Sequence, residues 1–554
     1  MKSSIFILFF ILCGLVTAQN YEEKFHLADS LVYAEADSIA NAKKGYQLYT
    51  ELYKEIPEKI TFWNLYDLAY AANKFNDSEK GFYWLEKTLS HYQEEDAAYL
   101  IDADAQKELY NLVKSPQWKD FEQKVQTRIK NHVAEIKKNQ RKLIEKGLGG
   151  IDFKKSKNSK ALYQKLRSYK DYPEIPSEIF GFITLNDTLE DNYFARIPSG
   201  YQPDQPSKVL FFLNGAVRYQ KIPSYPTTNL EEGWQRFYKK CAEKHNVIMV
   251  YPNCDKQFNW MLGDEGFAIV PKILQELKKF INIDDNQVYV AGHSNGATGS
   301  FSYAMKNPNP FASFYGMNTQ PKVYTGGTFL KNLSNRSFYN ISTDEDYYFP
   351  PNANDSLVIL AEKLQLDFSD HRYHGFPHWF PQFDASEKAV KGIFKDLFQQ
   401  ERNPLSSKIY WECDDVNNGK IDWLAITEMD TLQPKTSWHN EVNFNIDKWL
   451  SYNENDSLVA KKVNQKAFDF PRKSAAVKAN FEDNRFDIKT SRVGELSIYV
   501  SPEMVSMKKP ILIYVNGKKV YEAMSNYDRK FLIKNFKKYY DRKVIWVEEI
   551  QIEL

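Results

Sequence analysis

Gly292-His293-Ser294-Asn295-Gly296 is the segment of this chain best suited to chemistry. An apolar run, Gln287-Val288-Tyr289-Val290-Ala291, precedes it. A small-residue stretch that reads as helix, Ala297 to Met305, follows. A serine between a strand and a helix, with glycine two positions to either side, is a nucleophile held on a tight turn. The turn leaves no room for larger flanking side chains and lifts the serine into the open at the strand's end. The next backbone N–H, that of Asn295, then points at the same spot as the serine oxygen.

Other elements must hold that turn in place. Phe180 to Leu185 and Asn192 to Ile197 read as two strands joined at Asn186-Asp187. Val209-Leu210-Phe211-Phe212-Leu213 is a continuous apolar run of the buried-strand kind. A helix from Asn229 to Lys244, a strand from Val247 to Tyr251 and a helix from Phe267 to Phe280 lead to the strand before Gly292. Alternation of strand and helix at this spacing predicts a mostly parallel sheet with helices on both faces.

Strand, G-x-S-x-G and helix together resemble the nucleophile elbow of α/β-hydrolases, whose chain order is serine, acid, histidine. The acid is expected at a later strand end. Ser337-Phe338-Tyr339-Asn340-Ile341 is that strand, and it runs into Asp344, Glu345 and Asp346. Asp346, four residues before Pro350, is the favoured acid, with Asp344 as its competitor. His378 follows the last strand, Asp370 to Tyr373, and precedes a helix beginning near Ser386, so it is the expected base. His371 and His374 would lie within that strand or at its end. The oxyanion hole is expected to combine the Asn295 N–H with one from the loop Asn214-Gly215-Ala216-Val217-Arg218. Ala216 is the first choice for that second donor and Gly215 the next. Asn214 stands where families of this fold usually carry a histidine, which leaves the hydrogen bonding of the loop open.

Residues 178 to 400 resemble the polyhydroxybutyrate-depolymerase-like and feruloyl-esterase-like branch of secreted α/β-hydrolases. The resemblance rests on Leu213-Asn214-Gly215, on Tyr251-Pro252 with Trp260 downstream, on Gly-His-Ser-Asn-Gly and on Pro377-His378-Trp379. It implies two-step acyl transfer by Ser294, His378 and Asp346; no cofactor is expected, and no Cys/His cluster has metal-ligand spacing, so no metal is expected either. The implied substrate is an ester or other acyl compound, small or polymeric. Two alternatives share these residues. One is a serine peptidase of the same fold, for which Asp264 and Glu265 are candidate acids near the serine. The other is a binding protein with a vestigial hydrolase domain.

Composition bounds the rest. A length of 554 residues predicts about three domains. A net charge of +1 implies neither nucleic acid nor anionic membrane as a partner. Lys2, the apolar run Ile5 to Val16 and Val16-Thr17-Ala18 read as a signal peptide over residues 1–18, which predicts a secreted or periplasmic protein. Leu12 before Cys13 argues against lipidation. Cys241, Cys254 and Cys413 remain, an odd count that cannot pair fully within one chain. Residues 19–130 read as a helical, tetratricopeptide-like domain. Gly45-x-x-x-Tyr49-x-x-Leu52 and Gly81-x-x-x-Leu85-x-x-Thr88 lie 36 residues apart, near the repeat period of about 34. Such a surface would bind a protein partner in its groove. Residues 131–177 read as a helix and then a solvated linker, 178–402 as the α/β-hydrolase domain, and 403–554 as a β-rich domain. In the last, Asn417-Asn418-Gly419 and Asn516-Gly517 each signal a hairpin. His439 there reads as structural.

Overall fold

A computed structural model describes residues 21–34, 38–91, 94–156, 158–177, 179–185, 192–215, 235–254, 259–261, 264–349, 351–455, 457–469 and 472–554. The chain falls into two compact units, residues 1–136 and 137–554. The signal-peptide segment, the Asn186-Asp187 turn and Ala216 lie outside the described residues. No helix among the described residues is long and apolar enough to cross a membrane.

The first unit is helical. Its helices include Ile39–Glu55, Phe62–Lys74 and Ser78–His91. Thr61 caps the second: its hydroxyl accepts from the Asn64 N–H while the Asn64 side chain accepts from the Thr61 N–H. Tyr49, Leu52, Leu65, Leu68 and Leu85 sit in one apolar core. Gly45 and Gly81 are close-approach points, since a Cβ on either would meet Val32 or Leu112 at 2.6 Å.

The second unit is built on an eight-stranded sheet. Its strands are β1 (Ile179–Ile183), β2 (Asn192–Arg196), β3 (Ser207–Leu213), β4 (Val247–Pro252), β5 (Ile283–His293), β6 (Ser313–Met317), β7 (Ser337–Glu345) and β8 (Phe368–Pro377). Their order is β1-β2-β4-β3-β5-β6-β7-β8. β1 and β2 run antiparallel to their neighbours and the rest are parallel. The apolar runs are long because both faces are covered. In β3, Val209, Phe211 and Leu213 enter one core, while Leu210 and Phe212 enter the other. The first core lies under the helices Ile269–Leu277, Asn295–Lys306 and Pro351–Leu364. The second lies under Arg236–Lys244 and Ser386–Leu397. Sequence reasoning missed β6 altogether.

The C-terminal part packs a five-stranded sheet against a four-stranded one. The first has the order β18-β17-β15-β14-β9 and the second β10-β11-β16-β19. β9 is Lys408–Cys413, β10 Lys420–Ile421, β11 Leu424–Met429, β14 Ala475–Glu482 and β15 Arg485–Ser491. β16 is Val493–Val500, β17 Pro510–Val515, β18 Lys518–Met524 and β19 Glu548–Glu553. Asn516 and Gly517, with φ of 51° and 82°, turn β17 into β18. The Asn417-Asn418-Gly419 expectation is corrected. β9 pairs with β14, so this turn carries the chain from one sheet to the other, and β10 instead pairs with β11. Strands β12 (Asn445–Tyr452) and β13 (Leu458–Lys466) form a separate ribbon.

The segment expected to be a solvated linker is packed. Leu148, Leu162, Tyr163 and Leu166 are buried with Leu532 and Phe536 of the helix Arg529–Tyr539. The Gly149 N–H donates to the Lys279 carbonyl at 2.9 Å. His439 is buried among Glu412, Ser474 and Ser491, with its ring nitrogens 2.9 to 3.1 Å from their oxygens.

Candidate active site

Ser294 stands between β5 and the helix Asn295–Lys306 at φ 57° and ψ −122°. Non-glycine residues rarely adopt that backbone, and the structure around it must enforce it. The flanking glycines do so. A Cβ on Gly296 would lie 1.8 Å from the Leu213 carbonyl oxygen, and one on Gly292 would lie 2.3 Å from the Gly296 carbonyl carbon. β3 and the elbow therefore touch through bare backbone. Asn295 opens the helix, so its N–H has no acceptor within the helix.

Three side chains meet here. The Ser294 hydroxyl donates to His378 Nε2 at 2.8 Å. His378 Nδ1 lies 2.8 Å from Asp346 Oδ2, and both side chains are buried. Asp346 is fully satisfied. Its Oδ1 accepts from the Tyr348 and Phe349 N–H groups at 2.9 and 3.0 Å. Its Oδ2 also accepts from Asn318 Nδ2 at 2.8 Å. This pattern fixes the carboxylate and makes Nδ1 the protonated nitrogen of a neutral His378, leaving Nε2 to accept from the serine. The rings of Tyr348, Phe349 and Trp379 lie 4.8, 5.2 and 5.4 Å from that of His378 and limit the water around it.

Asp344 points elsewhere. Its carboxylate takes His374 Nδ1 at 3.0 Å and the Gly375 N–H at 2.8 Å. Burial pushes its carboxyl up, but those two partners outweigh the push and hold it below the usual value. His371 stacks on Tyr339 with ring centroids 4.1 Å apart. Neither His371 nor His374 meets Ser294. Asp264 and Glu265 open the short helix Asp264–Phe267, and their side chains lie outside the described residues.

The expected oxyanion loop approaches the serine at Gly215. A Cβ there would be 3.0 Å from Ser294 Cβ and 3.1 Å from the His293 carbonyl. Asn214 braces this turn: its Nδ2 donates to the Gly215 carbonyl at 3.2 Å, and its Oδ1 takes a weak contact from the Cys254 thiol at 3.8 Å.

Sequence reasoning missed two residues. Asn318, at φ 57° just past β6, joins the serine and the acid. Its N–H donates to the Ile341 carbonyl, its amide holds Asp346 and Thr343, and the preceding Met317 carbonyl accepts from the Ser294 N–H. The second is His293. Its Nε2 donates to the His378 carbonyl at 2.9 Å, and its other face lies toward Gly215. Burial pushes its pKa down to about 3, with the neighbouring His378 adding to the effect. It therefore stays neutral and keeps its donor on the loop that carries His378.

That pKa has a consequence for stability. Between pH 6.5 and about 3 the unfolded chain binds a proton at His293 that the folded chain refuses. Stability should therefore fall as pH drops through this window, by about 1.4 kcal/mol per unit. His293→Phe should flatten that part of the pH dependence of urea unfolding. It should also lower kcat by up to about a hundredfold with little change in KM, and His293→Gln, which keeps a donor, should recover part of the loss. An unchanged kcat in His293→Phe would remove His293 from this role.

No protein-family model matches the chain, and no curated protein matches it in sequence. Solved structures match part of it. A thermostable esterase is 19% identical over 40% of this chain, with a TM-score of 0.33. The S-formylglutathione hydrolase of Staphylococcus aureus is 12% identical over 40% of this chain and 98% of its own, with a TM-score of 0.30. A putative dipeptidyl aminopeptidase IV from Bacteroides ovatus is 17% identical over 42% of this chain, with a TM-score of 0.34. This chain spans 63% of the esterase and 36% of the aminopeptidase.

Proposed function

We propose that the chain is a serine hydrolase that cleaves a carboxylic ester through an acyl-enzyme. The observation that carries this reading is the unbroken line from Ser294 to His378 to Asp346, each link 2.8 Å long, on a strained turn at the end of a parallel strand. His378 Nε2 takes the proton as Ser294 Oγ attacks the acyl carbonyl. Asp346 stabilises the imidazolium without taking its proton. The oxyanion would sit on the Asn295 N–H and on a second N–H from the loop after β3, with Ala216 the first choice and Gly215 the next. His378 then protonates the leaving alcohol. Water, deprotonated by the same nitrogen, releases the acid and restores the serine. The preference for an ester rests on the sequence resemblance at Leu213-Asn214-Gly215 and Pro377-His378-Trp379.

A fluorophosphonate probe tests the reading, with the labelled peptide mapped. Modification of Ser294 is expected, along with turnover of p-nitrophenyl esters and none of aminoacyl amides. Turnover of the amides in place of the esters would make the enzyme a peptidase. No labelling and no turnover would leave a binding protein.

We further infer that the chain is exported by residues 1–18 and that residues 178–402 carry the chemistry, with 19–130 serving as a partner-binding surface. A chain starting at residue 137 should then keep full kcat on small soluble esters. A folded but inactive truncation would make the helical unit part of the catalytic machinery.

A further inference from the structure

A cleft of about 540 Å³ lies within the second unit, away from Ser294. Its walls are the helix Ile269–Leu277, the turn Asn307–Pro310 and the C-terminal β-sheets with their helix Arg529–Tyr539. Most charges around it are neutralised in pairs. Arg402 meets Asp541 at 2.7 Å, Lys278 meets Asp285 at 2.6 Å, and Arg336 holds Asp422 with two hydrogen bonds. Two lysines differ. Among the described residues no carboxylate forms an ion pair with Lys420 or Lys538.

Lys420 is surrounded by rings. Its ammonium lies 3.8 Å from the centroid of Tyr499, 4.7 Å from that of Tyr539 and 5.7 Å from that of Trp546. Lys538 approaches Tyr539 as well, 5.3 Å from its centroid. Burial lowers the Lys420 pKa from its usual value. Burial pushes the Tyr539 hydroxyl up, but the two lysines outweigh it and hold it below the ordinary value. The cleft thus has a positive end at Lys420 and Lys538, with the Tyr539 hydroxyl beside them, and an aromatic wall at Tyr499 and Trp546. Lys420 is half-buried, and ring faces compensate a partly desolvated cation only in part. The volume matches that of small-molecule sites, about 300 to 1,000 Å³.

We propose that this cleft binds a small amphipathic carboxylate, its head group between Lys420 and Lys538 and its apolar body along Tyr499 and Trp546. A carboxylate accepts hydrogen bonds from both ammonium groups and from the Tyr539 hydroxyl. The site is separate from the catalytic residues and does not depend on the hydrolase reading.

The test is calorimetric titration of the full chain, with Ser294 blocked by a fluorophosphonate or replaced by alanine so that the active site does not contribute. The probes are octanoate, the neutral octanamide and inorganic phosphate. Saturable octanoate binding is expected, at least tenfold tighter than that of octanamide or phosphate. Lys538→Met should weaken octanoate at least tenfold, Lys420→Met should do the same, and Lys420→Arg should retain most of the affinity. Ester hydrolysis in an otherwise unaltered chain should be unchanged by Lys538→Met. Lys538 is at the cleft's edge, so its variant keeps the test decisive if Lys420→Met fails to fold. Equal binding of octanoate and octanamide would make the cleft merely apolar and overturn the proposal. So would tighter binding of phosphate, octanoate binding indifferent to Lys538→Met, or no octanoate binding at millimolar concentration.

Discussion

Ser294→Ala should reduce ester turnover by about a millionfold and leave the fold intact. The hydroxyl is the only group lost, and its partner in the structure is His378 Nε2. The strained backbone is held by Gly292, Gly296 and the β3 carbonyl, none of which the substitution touches. Melting temperature should therefore stay within a few degrees of that of the unaltered protein, and fluorophosphonate labelling should vanish. A small residual rate would remain from the oxyanion donors. Full activity in the purified variant would end the serine-hydrolase reading.

Asp346→Asn should lower kcat by about ten-thousandfold, and Asp344→Asn by far less. The Asp346 carboxylate accepts four hydrogen bonds, two at each oxygen. An asparagine keeps one oxygen and turns the other into a donor. Whichever way the amide is placed, its NH2 faces donors: His378 Nδ1–H and Asn318 Nδ2 on one side, or two backbone N–H groups on the other. Relief comes only if His378 shifts its proton to Nε2, where it can no longer accept from Ser294. Asp344 offers no comparable leverage, since its partner His374 is exposed and such pairs contribute little, about 0 to 1 kcal/mol. Measuring both variants on one ester decides the matter. The reverse ranking would move the acid role to Asp344.

The convergence of Ser294, His378 and Asp346 was legible because each signal is local. The glycines at 292 and 296 report backbone contact, and the apolar run before them reports a strand covered on both faces. The choice between Asp344 and Asp346 was harder, since residues two apart on a strand share a face. β7 ends at Glu345, and the turn just beyond it sends Asp346 inward. Asn318 was hidden with β6, whose Ser313-Phe314-Tyr315-Gly316-Met317 holds no β-branched residue and only two strand-favouring aromatics, followed by a glycine. His293 looked like a variable position of the turn, because its partner is a backbone carbonyl 85 residues away. The lysines around Leu162 and Leu166 made their segment look wet, although the two leucines lie on one helix face. Turn chemistry at Asn417-Asn418-Gly419 announced a reversal of the chain but not which sheet the chain would enter next.

The buried pairs Arg336–Asp422 and Arg402–Asp541 join side chains far apart in sequence, and this bears on how the protein is made. During synthesis the arginines leave the ribosome well before Asp541. A chain cut after residue 402 has neither Asp422 nor Asp541, and each buried arginine left without its carboxylate costs about 3 to 5 kcal/mol. That is comparable to the whole stability of many domains. The sheet therefore depends for these pairs on residues that follow it in the chain. A nascent chain stopped after residue 402 should then be less stable than residues 137–554 and a better target for chaperones and proteases.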